Sequence, residues 1–314
     1  MKVTLIRKVP VATDICVFEL AGAADAPLPP FEAGAHIDVH VDGFVRQYSL
    51  CHRATEAGRY HIGVLRDPAS RGGSAAMHAL ESGTHLEIST PKNHFPLDTR
   101  AAHTLLLAGG IGITPLIAMA EQLRETGRSF ELHYCAREPA RAAFRDRLAE
   151  PGFAGRTHFY FDSEGEERRI DLQAVLARPS AQTHVYVCGP AGFIEAVLAA
   201  ASANGWPAQN VHREYFGAAQ PPRDADGPFQ VTLARSGRIV EVPAGTTIVE
   251  ALRAGGVEVS VSCEQGVCGT CLTRVLSGEP DHRDVYLTDD ERAANDQLLP
   301  CCSRARTPML VLDL

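Results

Sequence analysis

Cys263-Glu264-Gln265-Gly266-Val267-Cys268-Gly269-Thr270-Cys271 is the most informative stretch of this 314-residue chain. It reads Cys-x4-Cys-x2-Cys, and Cys301 and Cys302 stand thirty and thirty-one residues after Cys271. That is the spacing of a plant-type [2Fe–2S] site. A flexible loop must bring three thiolates around one cluster while its amides turn inward, and Gly266 and Gly269 supply the positive φ this needs. Either Cys301 or Cys302 can serve as the fourth ligand. A structural zinc usually takes two short Cys-x2–4-Cys knuckles, and three ligands in one loop with a distant fourth suit it poorly. The chain has nine cysteines. Cys16, Cys51, Cys135 and Cys188 stand singly, whereas the other five crowd the last 52 residues. In a reducing cytosol such a group reads as metal ligands before disulfides.

Around this cluster, residues 229–233 and 238–242 read as a hairpin, 248–254 as a short helix and 309–314 as a closing strand, an α+β unit. The segment 218–228, rich in Pro, Ala and Asp without periodicity, reads as a linker. Residues 99–217 alternate differently. An apolar run at 104–107 leads through Ala108-Gly109-Gly110-Ile111-Gly112-Ile113-Thr114-Pro115 into a helical stretch ending near Thr126. Strand-like 130–135, helical 141–149, and strand-like 158–161 and 183–188 come next, then a helix from Ala191. Strands alternating with helices predict a parallel α/β sheet. Residues 1–98 read as all-β, with short strands at 3–7, 15–20, 36–41, 46–51, 60–65 and 85–89, the pattern of a small antiparallel barrel. No internal repeat is present.

Three glycine-rich turns carry further chemistry. Gly109-Gly110-Ile111-Gly112 succeeds a strand and opens a helix, so its free amides and the helix dipole suit a phosphate. It is not the Gly-x-Gly-x-x-Gly fingerprint, and no acidic residue stands about 20 positions on. Cys188-Gly189-Pro190 repeats the arrangement at the end of a later strand. Two such turns on neighbouring parallel strands face one crevice, where open α/β sheets bind ligands. In the all-β region Ser70-Arg71-Gly72-Gly73-Ser74 joins a cation, hydroxyls and a glycine pair ahead of a helix-like stretch at 75–80, good chemistry for a phosphate monoester.

The bulk numbers set limits. A composition 45% hydrophobic and 22% charged is that of an ordinary globular protein, and the length suits two or three units. The net charge of −8 argues against nucleic acid or an anionic membrane as main partner. The N-terminus alternates like a strand and lacks the apolar run of a signal peptide, and no stretch approaches the roughly 18 apolar residues of a membrane helix. A cytoplasmic protein is the expectation.

Arg46-Gln47-Tyr48-Ser49 matches the Arg-x-Tyr-Ser motif of the ferredoxin–NADP reductase superfamily. Residues 108–115 resemble its pyridine-nucleotide motif, Cys188-Gly189-Pro190 its nicotinamide-side motif, and Glu214-Tyr215-Phe216-Gly217 the end of its nucleotide domain. The order of barrel, nucleotide domain and C-terminal plant-type ferredoxin is similar to that of the phthalate dioxygenase reductase and vanillate O-demethylase reductase group, over essentially the whole chain. The resemblance implies an FMN-binding barrel (1–98), an NAD-binding α/β domain (99–217), a linker (218–228) and a β-grasp ferredoxin domain (229–314). It implies Arg46, Arg71, Gly72, Gly73 and Ser74 at the flavin phosphate, and Tyr48 and Ser49 at the isoalloxazine. Gly109, Gly110, Gly112, Thr114, Cys188, Gly189 and Pro190 fall along NADH, and Phe216 over the flavin ring. It implies Cys263, Cys268, Cys271 and Cys301 on the cluster, with Cys302 a small buried neighbour.

The same resemblance implies electron transfer from NADH through FMN and a [2Fe–2S] cluster to a separate Rieske-type terminal oxygenase, by a monomer. The cofactors carry the chemistry, so no acid–base dyad is required. Two alternatives are a reductase for a cytochrome or ferric chelate and a non-catalytic redox sensor. Arg137, after the strand at 130–135, is where a relative meets a 2′-phosphate. Its bland alternative is a surface arginine pairing with Glu138 or another carboxylate. His94, in a loop near the expected flavin, carries no catalytic assignment, and Trp206 reads as loop packing. Residues 279–296 hold seven acidic side chains and two arginines. They form either a docking face for a basic partner or an ordinary solvated surface.

Overall fold

A computed structural model describes residues 1–22, 27–52, 58–68, 72–217, 226–261 and 263–314. Arg71 and residues 218–225 of the expected linker lie outside the described residues. The chain divides into two compact units, Met1–Phe216 and Gly217–Leu314.

The first unit holds two sheets. Strands β1 (Lys2–Ala12), β2 (Ile15–Gly22), β3 (His36–Val41), β4 (Phe44–Ser49) and β5 (Arg59–Leu65), helix α1 (Gly73–Ala79) and strand β6 (His85–Ile88) make the antiparallel one. Its order is β4-β3-β6-β1-β2-β5, and a bridge from Leu50 to Ile62 links its two ends into a barrel. Alternation decides the inside. Ile37, Val39 and Val41 of β3 point into the core with Leu5, Phe18, Leu20 and Ile62, while His36 and Asp38 take the other face.

The parallel sheet comprises β7 (His103–Gly109), β8 (Ser129–Ala136), β9 (Thr157–Phe161), β10 (Thr183–Cys188) and β11 (Val211–Glu214), in the order β11-β10-β7-β8-β9. Helices α2 (Ile113–Glu125), α3 (Arg145–Leu148), α4 (Leu172–Val175) and α5 (Ala191–Ala203) connect them. One face packs with Ile113, Leu116 and Ile117 of α2, and the other with Ile194 and Val197 of α5. Building outward from β7, the chain adds β8 and β9 on one side, then crosses to place β10 and β11 on the other. The carboxyl ends of β7 and β10 therefore flank the point where strand order reverses.

One expectation shifts in this unit, and one strand was not anticipated. The helical stretch at 141–149 shrinks to the single turn of α3, which begins after Phe144 in a left-handed conformation. Strand β11 carries no clear period in sequence and exists because it pairs with β10, Val185 opposite Val211 through Cys188 opposite Glu214. Trp206 packs a loop as expected, its indole N–H donating to the Leu176 carbonyl at 2.8 Å.

The second unit contains β12 (Phe229–Leu233), β13 (Ile239–Val242), α6 (Ile248–Ala254), β14 (Thr273–Ser277), β15 (Pro280–Asp281), α7 (Asp289–Ala294), β16 (Gln297–Leu298), β17 (Arg304–Ala305) and β18 (Met309–Leu312). The expected hairpin is present, and β18 pairs parallel to β12 in a mixed sheet ordered β13-β12-β18-β14-β16. Helix α6 spans the expected residues because Thr247 and Glu250 form a reciprocal capping box and Ile248, Ala251 and Leu252 pack on the sheet. Among the described residues no helix is long and apolar enough to cross a membrane.

Candidate cofactor sites

The first site is built on β4. Tyr48 lies opposite the inward Ile37, and Arg46 opposite Val39, so both side chains share the inner face of the barrel wall. The Arg46 guanidinium stands 5.0 Å from the Phe44 ring centroid and donates to the Val45 carbonyl at 2.8 Å. The turn before α1 closes on this pair. A Cβ at Gly73 would come within 2.6 Å of Arg46 Nε, and one at Gly72, where φ is +113°, within 2.7 Å of the Phe44 ring. Only glycines allow that approach, so Gly73 meets Arg46 and Gly72 meets Phe44, pairs 27 and 28 positions apart. Ser74 is next to them, its hydroxyl accepting from the Asp67 amide at 3.2 Å. Burial raises the Tyr48 phenol to about 12, so it remains a hydrogen-bond donor at neutral pH.

Ser49 is buried on the opposite face, paired with His36. Burial and the neighbouring His94 lower His36 to about 4, leaving it neutral. Its ring contacts Gln47, which donates to Asp38, and Asp38 in turn pairs with Lys92 at 2.6 Å. The His94 ring centroid lies 5.5 Å from that of His36.

The second site lies at the strand-order reversal. After β7 the backbone passes through Gly110 at φ +54° and a tight turn into α2. A Cβ at Gly112 would fall 2.2 Å from the Cys188 carbonyl oxygen, one at Gly109 within 2.9 Å of the Pro190 ring, and one at Gly189 within 2.9 Å of Gly109 Cα. The two glycine turns thus pack backbone against backbone, forming one wall from 109–112 and 188–190. At Gly110 the opposite holds, with nothing within 4 Å of a Cβ position. Open space above a positive-φ glycine, between the carboxyl ends of two parallel strands, is a cradle that a dinucleotide phosphate fits.

Thr114 stands apart from that open space. It is buried, its hydroxyl donates to the Ile111 carbonyl at 3.0 Å, and its methyl lies where a Cβ on Gly63 of β5 would be. It locks the turn against the barrel. Cys188 is fully buried. Opposite it, Glu214 is the residue sequence reasoning missed: one carboxyl oxygen, Oε2, is buried with no hydrogen-bond partner among the described residues. Burial raises this carboxyl to about 8. Its one signal in the sequence is its place before Tyr215-Phe216, read as a domain end. Phe216 is 39% exposed, so part of its side chain reaches solvent. Glu138 pairs with Arg141 at 3.1 Å, and Arg137 is exposed at the end of β8.

The third site is the cysteine loop of the second unit. Gly266 and Gly269 adopt φ of +73° and +70°, as the spacing required. Cys263, Cys271, Cys301 and Cys302 are buried, and Cys268 is half-buried. The Cys263 sulfur contacts both the Cys268 and Cys301 thiols, and it accepts from the Gln265 amide at 3.3 Å. Inward amides aimed at sulfur are what a thiolate ligand needs. Three sulfurs from one loop and a fourth from near the end of the chain make an all-thiolate donor set that fits a two-iron cluster. The Cys302 sulfur lies within 2.6 Å of a Cβ position on Gly266 and is directed toward the Leu299 carbonyl at 3.6 Å, while the Cys301 thiol contacts Cys263, so both cysteines of the pair reach the loop.

Residues 231–306 match the 2Fe-2S iron-sulfur cluster binding domain family, and residues 89–211 match the family described as dimethylamine monooxygenase subunit DmmA-like, N-terminal domain. The chain is 55% identical over 306 residues to a vanillate O-demethylase oxidoreductase of Pseudomonas putida, covering 96% of each chain. It is 43% identical to the phthalate dioxygenase reductase of Burkholderia cepacia, covering 100% of this chain and 97% of that one. A solved structure of phthalate dioxygenase reductase superposes with a TM-score of 0.83 at 43% identity, covering 100% of this chain and 98% of that one. The chain belongs to this family of oxygenase reductases. Like other members it is an oxidoreductase, and its second unit is a [2Fe–2S] domain.

Proposed function

We propose that this reductase draws hydride from NADH into FMN and passes single electrons through its [2Fe–2S] cluster to a separate Rieske-type terminal oxygenase. The observation that carries this is the coexistence in one chain of the interlocked glycine wall, open only above Gly110, with the thiol loop of the second unit. A hydride donor needs the first and a one-electron exit needs the second. Relatives named for vanillate O-demethylase and phthalate dioxygenase support the oxygenase as acceptor.

Residues 1–98 then hold the flavin, 99–217 the nucleotide, and 229–314 the cluster. When bound, a flavin takes up two electrons from nicotinamide and releases them singly to a [2Fe–2S] centre. The protein's own part is placement. Arg46 with Gly72, Gly73 and Ser74 offers a cradle for a terminal phosphate monoester, which favours FMN, and the resemblance adds Arg71 to it. Tyr48 donates from a half-buried phenol, and Ser49 offers a hydroxyl on the opposite face. Gly109, Gly110, Gly112, Gly189 and Pro190 shape the pyrophosphate path, with Thr114 and Cys188 fixing it from behind. Glu214 holds a proton on its buried carboxyl at neutral pH, where it can donate to a carboxamide. Phe216 covers the ring and yields to nicotinamide. Cys263, Cys268, Cys271 and Cys301 supply four thiolates.

An anaerobic absorbance titration with NADH, completed by electron paramagnetic resonance, tests the proposal. Bleaching of flavin and iron–sulfur bands with a rhombic reduced-cluster signal is expected. A protein that neither NADH nor NADPH bleaches would overturn it.

A further inference from the structure

One buried group of charges in the second unit has no part in the proposed relay. Asp226 falls in the stretch expected as linker, yet its side chain is only 6% exposed and its carboxylate is gripped from two sides. Arg283 donates to both carboxylate oxygens, at 2.6 and 3.1 Å, and Arg304 of β17 stands 3.4 Å from one of them. Arg304 is itself buried. Its guanidinium lies 5.0 Å from the Phe229 ring centroid and donates to the carbonyls of Thr246, Gly227 and Pro243, the last two at 2.9 and 3.2 Å. Arg283 also holds Asp281 of β15 at 2.7 Å. Two guanidiniums and two carboxylates thus cancel. Outside them Arg306, 3.9 Å from Asp281, is paired with Glu279 at 3.1 Å. Asp284 belongs to a separate group, with His282 at 3.8 Å and Arg292 at 4.0 Å.

Burying such a group is a poor way to gain stability, because desolvation offsets the attraction between the charges. What it supplies here is position. Arg304 lies three residues after Cys301 and opposite Asp281 in the β15–β17 pair. The Arg283 amide donates to the buried Ser303 hydroxyl at 3.3 Å, and the Ser303 amide donates to the Leu299 carbonyl at 3.0 Å. Two residues after Arg283, the Val285 amide donates to the Gly266 carbonyl of the cysteine loop at 3.0 Å. One carboxylate therefore ties the turn that offers Cys301 to the segment that rests on the loop of Cys263 and Cys268.

We infer that Asp226, Arg283 and Arg304 are positioning residues of the cluster. They form an internally neutral clamp that sets the Cys301 turn against the cysteine loop and adds no net charge beside it. This rests on the proposed place of Cys301 as fourth thiolate. Residues around metal ligands act in this way by orienting the ligand, and net charge nearby tunes the potential.

The full, cofactor-loaded chain is titrated potentiometrically, with the reduced cluster read by electron paramagnetic resonance. Asp226→Asn leaves one buried cation in excess, which should raise the reduced-to-oxidised ratio at a fixed poise about tenfold, ~59 mV upward for a one-electron couple. Arg304→Gln leaves one anion in excess and should shift the ratio in the opposite direction. The double variant, neutral again, should return toward wild type. Arg304→Lys keeps the charge without the planar fork of donors, so its potential should hold while a chelator strips its iron several times faster. Arg235→Gln, at an exposed pair with Asp313, should change neither reading. Shifts of one sign in both single variants, no shift in either, or an equal shift in Arg235→Gln would overturn the inference. Should a single variant fail to fold, Arg304→Lys decides, since a wild-type rate of iron loss overturns the clamp. A Cys301→Ser variant that keeps the wild-type signal would overturn the ligand assignment instead, a separate result.

Discussion

The nucleotide crevice and the cysteine loop sit at opposite ends of the proposed relay, and they are built in opposite ways. At the crevice the backbone is closed. Gly109, Gly112 and Gly189 are glycines because another backbone or ring occupies the space of a side chain, and Cys188 and the Glu214 carboxyl are buried behind them. At the cysteine loop Gly269 is a glycine because of its positive φ and a surface tyrosine ring, and Cys268, Leu272 and Tyr286 reach solvent. Hydride transfer demands a fixed, water-excluding contact between two bound molecules. Single-electron delivery to a partner needs only close approach to a surface, and transient electron-transfer interfaces are small. The contrast teaches where each chemistry tolerates change.

Cys271→Ser removes a buried proposed ligand and should break the comparison most completely. Iron analysis and electron paramagnetic resonance should show loss of the reduced-cluster signal, while NADH still bleaches the flavin band. Retention of the signal would mean that Cys302 or another donor replaces it.

Next in size, Gly112→Ala drives a methyl into the Cys188 carbonyl, a backbone atom that has no side-chain freedom to retreat. Overpacking of this kind costs roughly 3 kcal/mol, to be read from the urea midpoint of the first unit, with a raised KM for NADH. Gly269→Ala meets only the exposed Tyr286 ring and a left-handed φ, and should cost about 1–2 kcal/mol. Equal costs at the two positions would erase the distinction between a closed and an open site.

Glu214→Gln probes the buried carboxyl by pH. Burial raises its folded pKa from 4.5 to about 8. The folded state therefore binds the proton more tightly than the unfolded one. Glu214 contributes stability that is complete below pH 4.5 and is lost as pH rises through about 8. The glutamine variant lacks this loss, so its denaturation midpoint should match wild type near pH 5 and exceed it at pH 9, by about 2 kcal/mol. Reduction of the flavin by NADH should slow in the same variant. A wild-type stability curve flat from pH 5 to 9 relative to the variant would show Glu214 to be paired.

Smallest is Tyr48→Phe. Loss of one phenol hydrogen bond should weaken flavin binding by about 1 kcal/mol, measured by fluorescence of the released flavin. An unchanged affinity would place the phenol away from the ring.

Much of this was legible in the residues. Cysteine spacing defines a ligand loop locally, because three ligands within nine positions leave the chain few ways to fold around them, and the capped α6 likewise carries its own boundaries. The turns at 109–112 and 188–190 announced themselves through glycine and proline, whose backbone preferences are local. Less was legible where an interaction joins distant segments. Strand β11 exists through its pairing with β10, and no period within four residues signals that. The helix expected over 141–149 gave way to a single turn, and ahead of it the Ala143 amide is held by the Tyr134 hydroxyl at 3.1 Å.

Sequence alone determined the class of each segment, the thiol loop and the presence of two phosphate-type turns, because those depend on propensity and spacing over a few residues. Tertiary structure decided the rest. It set the two turns against each other, brought Arg46 to Gly73, set the Cys301 thiol against Cys263 and the Cys302 sulfur against Gly266, and paired off part of a run of seven acidic residues. It also left a buried oxygen of Glu214 without a hydrogen-bond partner among the described residues. Burial and contact depend on what the remainder of the chain packs against a residue, and no short stretch of sequence contains that information.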